Sequence, residues 1–244
     1  MGRMTEAVKH LLIINVILFF ATQLYGDQMY QWLSLWFPKN PNFEWWQVVS
    51  HMFMHGNLMH ILFNMYALWA FGTPLERIWG KNKFLFFYFS AGLGSAALHT
   101  GVNYFLFNEG MSALEAAGIA RTQVLDIIAN GQYSPGWYDI VGKSTVDSML
   151  MAFNTPAVGA SGAIYGILVA FAFMYSEAKL MLIFLPVPIK AKYFVPILIA
   201  VDLIFGIGNV NTGVAHFAHI GGALIGFIMM WYWKKNQFND NRWD

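Results

Sequence analysis

The chain has 244 residues, of which 57% are hydrophobic and 11% charged, against about 45–50% and about 25% in soluble domains, and its mean hydropathy is +0.47. So few polar side chains cannot coat a globule of this length, and a net charge of +1 provides no basic field for nucleic acid. With no cysteine, disulfides, thiolate catalysis and Cys-ligated metals are excluded, and the composition is that of an integral membrane protein.

About 20 apolar residues carry a helix across ~30 Å of hydrocarbon. In chain order the stretches that fit, approximately, are 11–25, 58–79, 84–107, 157–175, 193–207 and 214–233. The first follows a short leader containing Arg3 and Lys9 that lacks a small-residue cleavage site, so it reads as an uncleaved helix. Residues 180–189 are also apolar, but Pro186 and Pro188 interrupt them and mark an interfacial connection.

The charges fit six spans with both termini inside. The inner segments then hold Arg3, Lys9, Arg77, Lys81, Lys83, Lys179, Lys190, Lys192, Lys234, Lys235 and Arg242, and the outer ones only Lys39, Arg121 and Lys143. An error of one helix would scramble this positive-inside bias. Trp45, Trp46, Trp79, Trp231 and Trp233 fall at span ends, where aromatic belts belong. Two outer segments are long. Residues 26–56 carry Trp32, Trp36, Pro38 and Pro41, too aromatic for a solvated linker, and are expected to lie partly in the interface. Residues 108–156 hold most of the soluble-looking sequence. Ser112 and Glu115 have the spacing of a capping box opening a helix to about residue 129, with Leu114, Val124, Leu125 and Ile128 on one face. The expected fold is therefore an all-α membrane protein, one domain over 1–244, with a long outer insertion between the third and fourth spans.

Polar groups in a membrane helix cost several kcal/mol unless paired or hydrated. Three clusters of them sit at similar shallow depth under the outer surface. His60 and Asn64, four apart, share a face of the second span; Gly159-Ala-Ser161-Gly162 opens the fourth; Ala218-His219-Ile-Gly-Gly222 lies about two turns into the sixth. Gly162 and Gly166 are four apart, as are Gly222 and Gly226, a spacing that lets two helix backbones approach closely. Packing the fourth span on the sixth through these faces would bring Ser161 to His219, and a serine beside a neutral imidazole is an activated nucleophile. His60 and Asn64 in the same pocket would be donors to a developing oxyanion. The plainer readings are a serine bonded to its own backbone, a structural histidine and glycines that only pack.

Together the three motifs resemble the rhomboid family of intramembrane serine proteases over about residues 11–233. On that resemblance Gly159–Gly162 matches the family's Gly-x-Ser-Gly, making Ser161 the nucleophile, and Ala218-His219 with Gly222 and Gly226 matches its Ala-His-x-x-Gly-x-x-x-Gly, making His219 the base. His60, Asn64 and the Ser161 N–H are implied as oxyanion donors, and Tyr165 as the aromatic that supports the imidazole. His51 and His55 fall on family positions of the first loop, where the expectation is structural hydrogen bonding. Gly72-Thr-Pro-Leu-Glu76 matches the inner end of the second helix, with Glu76 structural. The family's Trp-Arg in the first loop is Trp46-Gln47 here, and the insertion is longer than the family core needs, as a cap, a substrate contact or a tolerated surface addition. His216 could compete as base, but only His219 has glycine at both +3 and +7. Asp202, in the fifth span, could orient His216 or His219, although the resemblance implies a Ser–His dyad; His99 reads as structural.

The resemblance implies hydrolysis of peptide bonds in or near transmembrane segments of membrane-protein substrates, at small or helix-destabilising residues, in a cell membrane, without metal or cofactor. Membrane lipids are the other expected partners, and the oligomeric state is open. The rival readings are a catalytically silent rhomboid-like protein that binds membrane clients, a transporter or haem carrier using His60 and His219, and a zinc protease. The last is weakened by Met52, which stands between His51 and His55 where that motif's glutamate would be.

Overall fold

The computed structural model describes residues 3–182, 185–208 and 214–236; Arg242, counted above among the inner cations, lies outside them. The described chain is mostly helical. Helix α1 (Glu6–Tyr25) has no side-chain cap from Thr5. Its first-turn donors are instead met from across the fold: the buried carboxylate of Glu76 accepts from the N–H of Ala7 at 2.7 Å and of Val8 at 2.9 Å. That places a negative charge on the positive end of the helix. Gly26, at φ 54°, ends α1, and α2 (Asp27–Leu33) begins the first loop. The loop continues through α3 (Gln47–Ser50) into a 3-10 turn at His51–Phe53.

The second apolar stretch is not one uniform helix. Helix α4 (Leu58–Ala67) passes through a π-turn at Leu68–Gly72 into α5 (Thr73–Trp79). Pro74 has no N–H to return to the preceding turn, and the wider turn absorbs the missing bond. Asn57 caps α4, its side chain accepting from the His60 N–H at 2.9 Å.

Helix α6 runs from Lys81 to Ala116, 36 residues, about 54 Å at the usual rise. It overturns the expected capping box: Ser112 and Glu115 lie inside its last turns. The helix stops where Gly118 adopts φ 87° and the Ile119 N–H returns to the Leu114 carbonyl at 3.1 Å, a glycine stop. Helix α7 (Arg121–Ala129) follows as a separate element, then α8 (Gly136–Val141) and α9 (Lys143–Asn154). The expected apolar residues do meet, but from two helices. Leu114 of α6 joins Val124 and Ile128 of α7, Trp137 of α8, Met149 and Phe153 of α9, and Phe37 from the first loop in a buried cluster of their own. The insertion is thus a small helical layer seated on the first loop, where Asn40 Nδ2 also donates to the Phe153 carbonyl at 2.8 Å.

Helix α10 (Ser161–Met174) leads into a hairpin, β1 (Lys179–Leu182) and β2 (Leu185–Lys190), with Lys179 opposite Lys190. The connection expected at 180–189 is built on two antiparallel strands. Proline is tolerated there because each strand of a two-stranded ribbon is an edge. Glu177 at its base pairs with Lys190 at 2.8 Å and Lys192 at 2.5 Å; these two ammonium groups pull its carboxyl down to about 2. Helices α11 (Ala191–Ile207) and α12 (His216–Asn236) complete the fold.

Helices α6, α10 and α12 form the centre, packed through glycine. A Cβ on Gly221 would stand 2.7 Å from the Gly94 carbonyl of α6, and one on Gly226 would stand 2.7 Å from the Gly166 Cα of α10. Around this centre a core of Val8, Leu11, Leu75, Phe84, Phe87, Tyr88, Ile164 and Ile167 is closed. The outward faces are apolar as well: Ile17 and Phe20 of α1, Leu62 of α4, Ile197 and Ile204 of α11 and Leu224 of α12 are all exposed. Among the described residues one unbroken helix, Glu6–Tyr25, is by itself both long and apolar enough to cross a membrane.

Candidate active site

Three helix N-termini converge at one end of the molecule. Ser161 is the first residue of α10, His60 the third of α4 and His219 the fourth of α12. His219 is thus in the first turn of its helix rather than two turns in. The approach of α10 and α12 is as close as backbones permit. A Cβ on Gly222 would lie 1.8 Å from the Gly162 carbonyl oxygen, and one on Gly162 would lie 1.9 Å from Ser95 Oγ. Only glycine fits at either place. With the helices so close, His219 Nε2 stands 2.9 Å from Ser161 Oγ, hydrogen-bond distance for a hydroxyl and an imidazole.

The imidazole is held on two other sides. The Tyr165 ring, one turn along α10 from Ser161, stacks on His219 with centroids 4.2 Å apart and planes 13° from parallel. Nδ1 of His219 lies 3.1 Å from Oδ1 of Asp202 on α11. The same oxygen lies 2.5 Å from Nδ1 of His216, and the Tyr165 hydroxyl donates to Asp202 Oδ2. His216 is therefore turned to Asp202, whereas His219 reaches both Asp202 and Ser161. The sequence leaves Asp202 as one acid among apolar residues; its neighbours become visible only when α11 is laid against α12.

His60 approaches the serine across Gly159. Its Nε2 would be 2.9 Å from a Cβ on Gly159, which in turn would be 3.4 Å from Ser161 Oγ. Gly159 has φ +128°, a conformation that side chains disfavour. Gly159 therefore provides both the turn and the space between the His60 ring and the serine. Nδ1 of His60 faces the Gly56 N–H at 3.5 Å, an orientation that favours the ring proton on Nε2, toward Ser161. Asn64 Nδ2 donates to the His60 carbonyl at 3.0 Å, so one of its two amide hydrogens is committed to the backbone. The Ser161 N–H belongs to the free donors of an opening helix turn. An alkoxide-like oxygen and an anionic intermediate would both be favoured where such donors and helix ends converge.

The loop around the site is tied by neutral groups. Gln47, in place of the family's arginine, is fully buried; its Nε2 donates to the carbonyls of Gln31 at 2.9 Å and Asn42 at 2.8 Å, and its Oε1 accepts from the Trp36 N–H at 3.3 Å. His51 donates Nδ1–H to the Gln47 carbonyl at 2.8 Å, while its own carbonyl accepts the Gly159 N–H at 2.9 Å. Leu35 and Ala157 exchange a backbone pair at 2.9 Å each way. Burial pushes the His51 imidazole down to about 4. Burial, reinforced by His60, takes His55 down to about 3, and the His55 ring sits edge-on to His60 with centroids 5.0 Å apart. His99 accepts from the Asn103 amide at 3.0 Å.

A sequence model of the Rhomboid domain matches residues 42–236. The chain belongs to the rhomboid family. It is also 31% identical over 209 residues to Rhomboid protease AarA of Providencia stuartii, an alignment covering 84% of this chain and 59% of that protein.

Proposed function

We propose that the chain is an intramembrane serine endopeptidase that cuts membrane-protein substrates in or near their transmembrane segments. The observation that carries this reading is the 2.9 Å contact between His219 Nε2 and Ser161 Oγ at the closest approach of two helices. Membership of the rhomboid family and similarity to a named rhomboid protease support it.

In the proposed reaction Ser161 Oγ attacks the scissile carbonyl carbon as His219 Nε2 takes its proton. The carbonyl π pair moves to oxygen, where His60 Nε2–H, the free Asn64 N–H and the Ser161 N–H receive it. Collapse of this intermediate breaks the C–N bond, and the leaving amine takes the proton from His219. Water, deprotonated by the same imidazole, then releases the acyl group and restores the serine.

The membrane part of the proposal rests on composition and surface. The whole chain is read as one domain of six crossings, α1, α4–α5, α6, α10, α11 and α12, whose apolar outer faces meet lipid. Both termini lie on the cytoplasmic side of a cell membrane, because that arrangement puts eleven of the 14 Lys and Arg inside. Ser161 then opens from the outer side, where water can reach it.

The test uses a fluorescent fluorophosphonate, which labels nucleophilic serines, on protein in mild detergent and in bilayers. Wild type should label, and Ser161→Ala and His219→Ala should not. A folded wild type that resists this and a second serine-reactive probe in bilayers would favour the client-binding alternative.

A further inference from the structure

Asp202 is buried in the C-terminal half of α11, and its carboxylate receives three side chains from two neighbouring helices. His216 Nδ1 and His219 Nδ1 meet Oδ1 at 2.5 Å and 3.1 Å, and the Tyr165 hydroxyl meets Oδ2. Three donors on one carboxylate are more than an incidental ion pair needs, and each has a separate consequence. The Tyr165 bond fixes the ring that stacks on His219. The His216 bond holds the same carboxylate oxygen that His219 reaches. The His219 bond requires a hydrogen on Nδ1, because a carboxylate only accepts. A neutral imidazole with its hydrogen on Nδ1 presents the Nε2 lone pair, and Nε2 is the atom facing Ser161.

We propose that Asp202 is a positioning residue for His219, turning the Ser161–His219 pair into a three-residue constellation, with His216 and Tyr165 holding the carboxylate in register. The inference rests on the reading of Ser161 and His219 as nucleophile and base. When His219 takes the serine proton on Nε2 it becomes an imidazolium with hydrogens on both nitrogens. Asp202 stays ionised and balances that charge, and the proton leaves from Nε2 to the amine, never passing to the carboxylate. An amide at position 202 removes the charge that balances the imidazolium, and where its NH2 rather than its oxygen faces Nδ1 it donates there and drives the hydrogen to Nε2, against the serine.

The titratable groups around His219 are Asp202 on α11, His216 on its own helix, Tyr165 on α10, His60 on α4 and His99 on α6. Among them Asp202 is the anion, so its removal has a directional effect on the pH profile. The experiment compares the rate of fluorophosphonate labelling of wild type and Asp202→Asn across pH, with thermal midpoints recorded for both. The expected result is a folded variant labelled about 100-fold more slowly or worse, with the acid limb of its profile displaced to lower pH because the imidazolium has lost its counter-charge. Labelling within about threefold of wild type on an unshifted profile would overturn the inference while leaving the protease reading intact.

A second measurement needs neither activity nor the Asp202→Asn variant. Wild type should give a downfield proton resonance for His219 Nδ1–H bound to a carboxylate, absent in His219→Ala. A wild type without that resonance overturns the inference even if Asp202→Asn fails to fold. Absence of labelling in the wild type, or labelling that survives Ser161→Ala, counts instead against the nucleophile assignment, and the resonance then decides the part of Asp202 alone.

Discussion

A Cβ atom on Gly222 would stand 1.8 Å from the carbonyl oxygen of Gly162, so the backbones of α10 and α12 touch next to Ser161 and one turn from His219. This contact sets the serine–imidazole distance. Gly222→Ala should force the helices apart, cost about 1–3 kcal/mol, and abolish fluorophosphonate labelling at temperatures where the variant is still folded. Gly226→Ala, a turn further along and less tight at 2.7 Å, should lower the thermal midpoint while retaining part of the labelling.

The His60 ring, lying across Gly159 from the serine, makes a separable prediction. His60→Ala should slow phosphonylation by about 10²- to 10³-fold, the usual loss for one oxyanion donor, without a matching loss of stability. Asn64→Ala should fall short of that, because one of its amide hydrogens already serves the His60 carbonyl. Rate constants for both variants beside their thermal midpoints check the pair.

Gln47 ties together the carbonyls of Gln31, Trp32 and Asn42, from two parts of the first loop. Gln47→Ala leaves part-buried carbonyls without their donor, at about 1 kcal/mol, and should expose the segment 31–46 to protease in detergent. Gln47→Glu should be worse than alanine, since it sets a buried carboxylate against carbonyl oxygens to which it cannot donate. Limited proteolysis of the three proteins gives the order.

The two buried first-loop histidines predict an acid limit to stability. Unfolded, each titrates near 6.5; folded, burial holds His51 down to about 4 and His55 to about 3. The unfolded chain therefore binds protons first. Stability is full above about pH 6.5 and declines as pH falls toward 4, where the folded His51 begins to protonate. Thermal midpoints at about pH 7.5 and about pH 5 should differ in wild type and differ less in His51→Gln.

Glu76 caps α1 from the far end of the second helix. Glu76→Ala should cost about 1–2 kcal/mol through the two abandoned N–H groups, and Glu76→Gln should cost less, since an amide oxygen still accepts. Unfolding midpoints in one detergent compare them.

Much of this was legible in the sequence because its signals were local. Gly-x-Ser-Gly and Ala-His-x-x-Gly-x-x-x-Gly name both partners of the close contact and the glycines that permit it, and His60 with Asn64 share a helical face by spacing alone. What failed depended on partners far along the chain. Ser112 and Glu115 have the spacing of a cap, but nothing before Gly118 interrupts α6, and Gly110 and Met111 continue it into the second buried cluster. The paired strands 179–182 and 185–190 add regular structure to the expected connection, because the bar on proline in strands lapses at an edge. The site residue whose weight was hidden is Asp202: an isolated acid in an apolar run shows its meaning only beside His216, His219 and Tyr165. Gln47, read as an absence of arginine, is a hub because an amide can donate to several carbonyls and accept as well.

The seating of the insertion on the first loop has a consequence for the chain's continuity. The turn between α7 and α8, from Gly131 to Tyr133, is exposed, while α6 on one side of it and α9 on the other are joined through Phe107, Met111, Met149 and Phe153. A break in that turn would part the polypeptide without crossing any of the contacts that assemble Ser161, His219 and His60. His60 would reside on one fragment and the other two on its complement. Co-expressed as two pieces divided there, the halves should find each other and form a reactive serine, whereas neither half alone contains the whole constellation.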